Sequence, residues 1–386
     1  MDSQGGLCSE RPSRRQDRAV TAGQSKIDAQ IDAFLASFLA GAPVPAGALR
    51  SEAIVARARY HGLQGLLAEN PHFVEAAPVA TRALFRDAAA DAISDVLRHE
   101  LLGEICSAFA AAGVDMVLLK GAALAYLVYE KPALRPRLDT DIIVAPEQKG
   151  AARDVLAQLG FAASPVHVPH YQTTFTLERS GIPFPVDLHW RAANSDFLAQ
   201  LYTFETLRAG AQPVTRLHPR AVAPSDEMLL SFAITHLLFD RDYRAGMRFI
   251  WLVDLRAIAA RMDRAAWERF ILLQATIGGS GAAALALREA EARLGRFVPE
   301  TAIERLGAAS EGRLSRYLAA SEFGRMRRDL LCRNRRQALT YLGGVLFPPR
   351  ARLMEIYGPV PRWQAPLLYL HRAATGIVKA KRRSGR

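Results

Sequence analysis

Apolar positions along the chain follow two periods, and the change from one to the other divides it. From residue 27 to about 100 they recur at helical spacing, as in Ile31, Phe34, Leu35, Phe38 and Leu39, which predicts amphipathic helices with one face turned inward. Another helix is predicted over 101–112, stopped by Gly113. The period then shortens. Strands are predicted over 115–119, 138–144, 172–177, 184–190 and 213–217. Helices are predicted between them over 122–129 and 147–159, the second opened by Pro146 and ended by Gly160. After Pro224-Ser225-Asp226-Glu227, a helix-start signal, the longer period returns. Met228, Leu229, Phe232, His236 and Phe239 stripe one helix, and Trp251, Leu252, Leu255 and Ile258 the next. Breaks at 278–281, 348–349 and 359–361 divide the remainder, helical to about residue 369. No tandem repeat of solenoid period stands out.

The pattern predicts an α+β protein: a small mixed sheet flanked by N- and C-terminal helical regions. A chain of 386 residues suits two or three domains. The expected layout is a flexible tail over 1–26, a helical region over 27–112 and an α/β core over 113–220. A C-terminal helical domain over 221–375 and a basic tail over 376–386 follow. Half of the residues are hydrophobic and 23% charged, which excludes a disordered chain. Cys8, Cys106 and Cys332 lie far apart without metal-ligand spacing, so a disulfide scaffold is excluded and a reducing compartment is expected, with Cys106 in the core. The first residues are polar and Arg-bearing with no apolar run, so no secretory signal is expected and the location read from this is cytoplasmic. Two stretches lack charge, 155–177 and 270–287. Pro165, His167, Pro169, His170 and Gln172 interrupt the first and Gly278-Gly279-Ser280-Gly281 the second, so neither predicts a membrane span.

The net charge of +12 points toward anions. Much of it sits at the ends, in Arg11, Arg14, Arg15 and Arg18 and in Lys379, Lys381, Arg382, Arg383 and Arg386. A second group, Arg325, Arg327, Arg328, Arg333, Arg335 and Arg336, falls on a predicted helix. Solvated tails and a basic helix face account for both. Aromatics are not interleaved with the arginines, so nucleic acid is a less favoured partner than nucleotides, polyanionic glycans or an acidic protein.

The chemistry gathers in the short-period segment. Leu118-Leu119-Lys120-Gly121 ends a predicted strand in a turn, and Leu138-Asp139-Thr140-Asp141-Ile142-Ile143-Val144 follows. Alternation puts Asp139 and Asp141 on one face. Two carboxylates held together repel unless a cation sits between them, and Mg²⁺ is the usual cation where phosphates are handled. Pro185-Val186-Asp187-Leu188-His189-Trp190 adds a third acid, with His189 on the same face as Asp187. Two acids on one strand and one on a neighbour form the constellation of two-metal nucleotidyl transfer. The turn at Gly121 would offer backbone N–H groups and a helix start to phosphates.

In these residues the sequence resembles the nucleotidyltransferase superfamily related to DNA polymerase β. It is more similar still to an uncharacterised bacterial nucleotidyltransferase family with Leu-Lys-Gly, then Arg…Asp-x-Asp, then Asp-Leu-His-Trp. The likeness runs from about residue 101 into the C-terminal helices, through Trp251-Leu252-Val253-Asp254-Leu255 and Leu346-Phe347-Pro348-Pro349. It implies a Mg²⁺-dependent enzyme that moves a nucleoside monophosphate from an NTP to a hydroxyl or phosphate acceptor. Asp139, Asp141 and Asp187 match the metal-binding and catalytic acids, and Lys120-Gly121 matches the phosphate turn. Arg135 and Arg137 would bind triphosphate, or on the residues alone pair with Asp139 and Asp141. Relatives often lie beside genes for exopolysaccharide or peptide assembly, which implies a small-molecule, glycan or peptide acceptor and a biosynthetic partner protein.

Two other readings stay open at this point: a non-catalytic nucleotide-binding regulator that keeps the fold, and an RNA-modifying nucleotidyltransferase. His189 reads equally as a core histidine and as a site residue that orients Asp187. Asp196 is the alternative third acid, and His236 on an apolar stripe reads as a core residue. The glycines at 278–281 lack a following Lys-Ser/Thr and read as a linker, the histidines lack zinc spacing, and no nucleophile elbow is present.

Overall fold

The computed structural model describes residues 14–43, 49–164, 171–240, 247–309 and 311–347, with isolated positions up to 370. Residues 1–13, the break expected at 348–349, most of that at 359–361 and the basic tail over 376–386 lie outside the described residues. Helix α1 spans Arg14–Ala40, so its backbone is already helical within the segment expected as a tail. Its apolar stripe is buried: Ile31, Phe34, Leu35 and Phe38 all lie in the core. Four helices follow: α2 (Ser51–His61), α3 (Gln64–Ala68), α4 (Pro71–Ala76) and α5 (Pro78–Ala111). The last is one 34-residue helix, where the sequence reading put a boundary near residue 100. No glycine or proline interrupts it except Gly103, whose position has open space around it.

The α/β segment begins with β1 (Met116–Leu118), and α6 (Lys120–Leu127) starts two residues earlier than expected. A short 3-10 turn precedes β2 (Thr140–Val144), every residue of which is buried. Asp139 therefore stands just ahead of the strand rather than within it. Next come α7 (Lys149–Gln158), β3 (Ala162–Ala163), β4 (Gln172–Arg179) and β5 (Ile182–His189). The β4–β5 hairpin turns through Ser180 and Gly181, both at positive φ, as a two-residue loop matching the strand twist requires. The sheet order is β1-β2-β5-β4-β3. Every neighbouring pair is antiparallel except β2 and β5, which run parallel at the centre. Short helices α8 (Asp196–Leu201) and α9 (Phe204–Arg208) follow, then a two-stranded ribbon of β6 (Gln212–Pro213) and β7 (Val222–Ala223). The single strand expected over 213–217 is this ribbon instead, because the chain turns between Val214 and Ala221.

The rest is helical: α10 (Asp226–Asp240), α11 (Phe249–Ala259), α12 (Arg264–Ile277), α13 (Ser280–Leu294), α14 (Glu300–Ala308), α15 (Arg313–Ala319), α16 (Glu322–Leu331) and α17 (Arg335–Leu346). Gly278 ends α12 at φ 69, where an added Cβ would stand 2.5 Å from the backbone nitrogen of Arg313. The glycine run is thus a tight turn between two packed helices. Helices α10, α11 and α13 pack on one another, and α1 lies against α13. The Arg256 guanidinium on α11 donates to the Leu39 carbonyl at 2.5 Å, tying the first helix to the C-terminal ones. One continuous hydrophobic core joins the sheet to both helical regions.

Candidate active site

Parallel pairing of β2 with β5 sets Asp141 directly opposite Asp187 and Ile143 opposite His189. Opposite residues in a parallel pair point to the same face, so the two carboxylates meet without any loop having to place them. On the other side of β5, antiparallel β4 sets Thr174 opposite Asp187 and Gln172 opposite His189. Three adjacent strands build the floor.

Each acid has donors of its own. Asp141 Oδ1 accepts from the Lys120 ammonium at 2.8 Å and from His189 Nε2 at 2.8 Å. Asp187 accepts from Thr174 Oγ1 at 2.5 Å and from Gln172 Nε2 at 2.8 Å, one donor on each oxygen. His189 is buried, and its Nδ1 has no hydrogen-bond partner among the described residues. The ligand atoms of Asp141, Asp187 and His189 lie within 4.8 Å of one another. The two carboxylates suit a divalent ion, on strands that cannot easily spread, and His189 joins them only through a nitrogen that carries no proton. Asp139 is not part of the trio. It stands at the exposed mouth of the same cleft.

The charges are strongly coupled. Burial alone would raise the Asp141 carboxyl, but Lys120 and His189 outweigh it and hold the group well below the usual carboxylate range. Although its surface is open to solvent, the carboxyl of Asp139 is raised by the hydration it loses inside the cleft and then by the neighbouring negative charge of Asp141. The Lys120 ammonium moves up, because Asp141 more than offsets the cost of its burial. Lys120 also carries φ 47, a backbone conformation that L residues rarely adopt, at the first position of α6.

All seven residues singled out in the sequence border one cleft of about 510 Å³, which α10 and α11 close from the opposite side. The arginines pair with other carboxylates. The Arg135 guanidinium is buried in a two-pronged pair with Asp254 on α11, at 2.8 Å from each carboxylate oxygen. Its remaining nitrogen donates to the Pro136 carbonyl at 2.9 Å, and the Tyr129 hydroxyl donates to the same Asp254 at 2.6 Å. Arg137 lies against the Asp95 carboxylate with its guanidinium 5.0 Å from the Tyr126 ring centre. Burial lowers its pKa to about 10. Neither arginine pairs with Asp139 or Asp141. Asp196 is held by Arg191 and Arg333, away from the floor.

Gln172, Thr174 and Asp254 escaped the sequence reading. The first two are ordinary polar residues on a half-buried strand and carry no signal of their own. Asp254 did carry one: it is an acid inside the apolar run Phe249-Ile250-Trp251-Leu252-Val253, and a buried acid there demands a cation.

Residues 48–295 match the family described as an uncharacterised nucleotidyltransferase. The chain belongs to that family. The match spans the sheet, the cleft and the helices α10 to α13, so the family assignment and the acidic floor concern the same part of the molecule. This nucleotidyltransferase is also similar to the solved antibiotic-resistance factor ANT(2'')-Ia, at 16% identity over 52% of this chain and 94% of that one, with a TM-score of 0.30. No curated protein matches it. Among the described residues no helix is long and apolar enough to cross a membrane.

Proposed function

We propose that this nucleotidyltransferase moves a nucleoside monophosphate from an NTP to a hydroxyl or phosphate on a small molecule, glycan or peptide. The supporting observation is the register of β2 on β5, which brings the Asp141 and Asp187 carboxylates to one face beside the start of α6. In this reading Asp139, Asp141 and Asp187 hold Mg²⁺, and the chemistry lies in the segment 113–220, with the helices beyond it forming the far wall. Bound Mg²⁺ would supply charge neutralisation on the phosphates and a lowered pKa for the acceptor hydroxyl.

The protein's own groups do the rest. Lys120 and the N–H groups at the start of α6 bind the triphosphate oxygens. Gly121 lets the two arginines pack against the turn, since a Cβ there would sit 3.2 Å from Arg137 Cγ and 3.5 Å from Arg135 Nη1. Arg135 positions this turn rather than touching phosphate, because its guanidinium is engaged with Asp254 and the Pro136 carbonyl. Arg137, beside Asp95, has Nη1 and Nη2 without a hydrogen-bond partner among the described residues. Asp187, fixed by Gln172 and Thr174, takes the acceptor's proton as its oxygen attacks the α-phosphorus. The bond from that phosphorus to the bridging oxygen breaks, and pyrophosphate leaves. A cytoplasmic location, where NTPs and Mg²⁺ are plentiful, fits the cysteine usage.

The test is incubation of the purified protein with Mg²⁺ and each labelled NTP, followed by mass identification of the product. Asp187→Ala should keep most of the Mg-NTP affinity while turnover falls at least about a thousandfold. Asp141→Asn should lose both. Unchanged NTP affinity in Asp139→Asn and Asp141→Asn would rule out the metal site. Full turnover in Asp187→Ala would remove that residue from the chemistry.

A further inference from the structure

Among the lysines and arginines of the described residues, Lys120 is the one paired with an acid of the floor. Arg135 is committed to Asp254 and Arg137 to Asp95, while the Lys120 ammonium lies 2.8 Å from Asp141 Oδ1. That same oxygen also receives His189 Nε2 at 2.8 Å, so the oxygen turned toward His189 is capped by two N–H donors. An ion using it must displace one of them. His189 is 1% exposed and fixed in β5, whereas the Lys120 side chain is 28% exposed and ends a flexible stem. Lys120 is the one that can leave.

We propose that Lys120 is the resident counter-cation of the carboxylate pair, and that it releases Asp141 only when a divalent ion and a triphosphate arrive together. The inference rests on the reading of Asp141 and Asp187 as metal ligands. An ion arriving alone meets the ammonium 2.8 Å from Asp141 Oδ1, where it cancels part of the carboxylate charge and repels the newcomer. A triphosphate removes that penalty, because its oxygens accept the ammonium beside the N–H groups at the start of α6, of which Lys120 is the first residue. Lys120 is thus a positioning residue with two stations. One is the carboxylate in the resting enzyme, and the other is the phosphate tail in the loaded one. Metal is then acquired with the nucleotide and not from the free ion, which keeps the site from holding metal that no substrate can use.

The experiment measures Mn²⁺ binding through the resonance signal of the free ion, with and without inorganic tripolyphosphate, in wild type, Lys120→Met and Lys120→Arg. Removing the ammonium should tighten binding of Mn²⁺ alone at least about tenfold in Lys120→Met. Lys120→Arg, which keeps the charge, should stay near wild type. With tripolyphosphate the order should reverse, Lys120→Met binding the complex more weakly than wild type. Lys120→Gln, with thermal melts of each variant, covers the case in which the Met variant does not fold. Equal or weaker binding of Mn²⁺ alone in the neutral variants overturns the proposal. Asp141→Asn separates the two layers. If it loses the Mn²⁺–tripolyphosphate complex while the neutral variants gain nothing, only the Lys120 inference fails. If it binds like wild type, the metal-site reading fails as well.

Discussion

Both oxygens of Asp187 are held from β4, and this restraint came from residues with no motif. A carboxylate with a donor on each oxygen keeps one orientation, and small misplacements of a reacting group are costly. Thr174→Val and Gln172→Ala should therefore lower kcat about ten- to a hundredfold while KM for the NTP changes less than about threefold. Steady-state kinetics on both variants would check this, and a parallel rise in KM with unchanged kcat would show that they serve binding instead. Lys120 gives a second expectation at this scale. Lys120→Met should lower the melting temperature without metal, because Asp139, Asp141 and Asp187 then repel without a counter-charge. Added Mn²⁺ should restore most of it.

Between elements, the decisive contact is Arg135 with Asp254. It joins the turn before β2 to α11, and both side chains are below a tenth exposed. Losing one partner strands a buried charge, so Asp254→Ala should cost about 3 kcal/mol or more in urea unfolding. The double variant Arg135→Met/Asp254→Leu should cost less than either single change, since no charge is left unpaired. A double variant as unstable as the sum of the singles would mean that the pair is not isolated from its neighbours. Gly278 is a second junction. Its φ of 69 and the nearby Arg313 backbone predict that Gly278→Ala loses more than about 1 kcal/mol, measured the same way.

For the whole molecule, pH tests how the N-terminal helices are locked to the C-terminal ones. The Phe249 backbone N–H donates to His61 Nδ1, which leaves Nε2–H to donate to Asp32 on α1 at 2.8 Å. Burial pushes His61 below its ordinary value of 6.5 despite the help Asp32 gives its charged form. Burial would raise Asp32, but hydrogen bonds from His61 and Arg57 carry it below 3.8. Both signs agree. A depressed histidine favours the fold above 6.5 and loses that contribution as pH falls toward its folded value, and a depressed carboxyl does the same at lower pH. His236, brought down to about 4 by burial and then by Lys120, adds in the same direction. The melting temperature should fall between pH 7 and pH 4.5, and His61→Asn should flatten the slope. A wild-type curve that is level or rising on acidification would contradict the assignment. The charge of +12 also looks different in space: Arg333 holds Asp196, and the Arg325 guanidinium lies over the Phe239 ring at 5.4 Å. Part of what reads as a basic helix face is internal packing.

Several features were settled by local order alone. The switch of period from helix to strand and back follows from side-chain spacing, and it marked the sheet segment. The two acids of Asp139-Thr140-Asp141, the third at Asp187 and the Lys120-Gly121 turn are local too, and all of them border the cleft. Spacing within a strand fixes which side chains share its face, but not which strand lies alongside. Only the folded sheet decided that β2 and β5 run parallel in the register that makes Asp141 and Asp187 neighbours. It also decided that His189, equally a core histidine on paper, reaches Asp141, and that Thr174 and Gln172 reach Asp187. The arginines show the limit most plainly. Their charge was legible, but Arg135 found its partner on α11, and Arg137 found Asp95 on α5. A guanidinium pairs with whichever carboxylate the fold brings near, and that distance is a property of the tertiary structure, not of the order of residues along the chain.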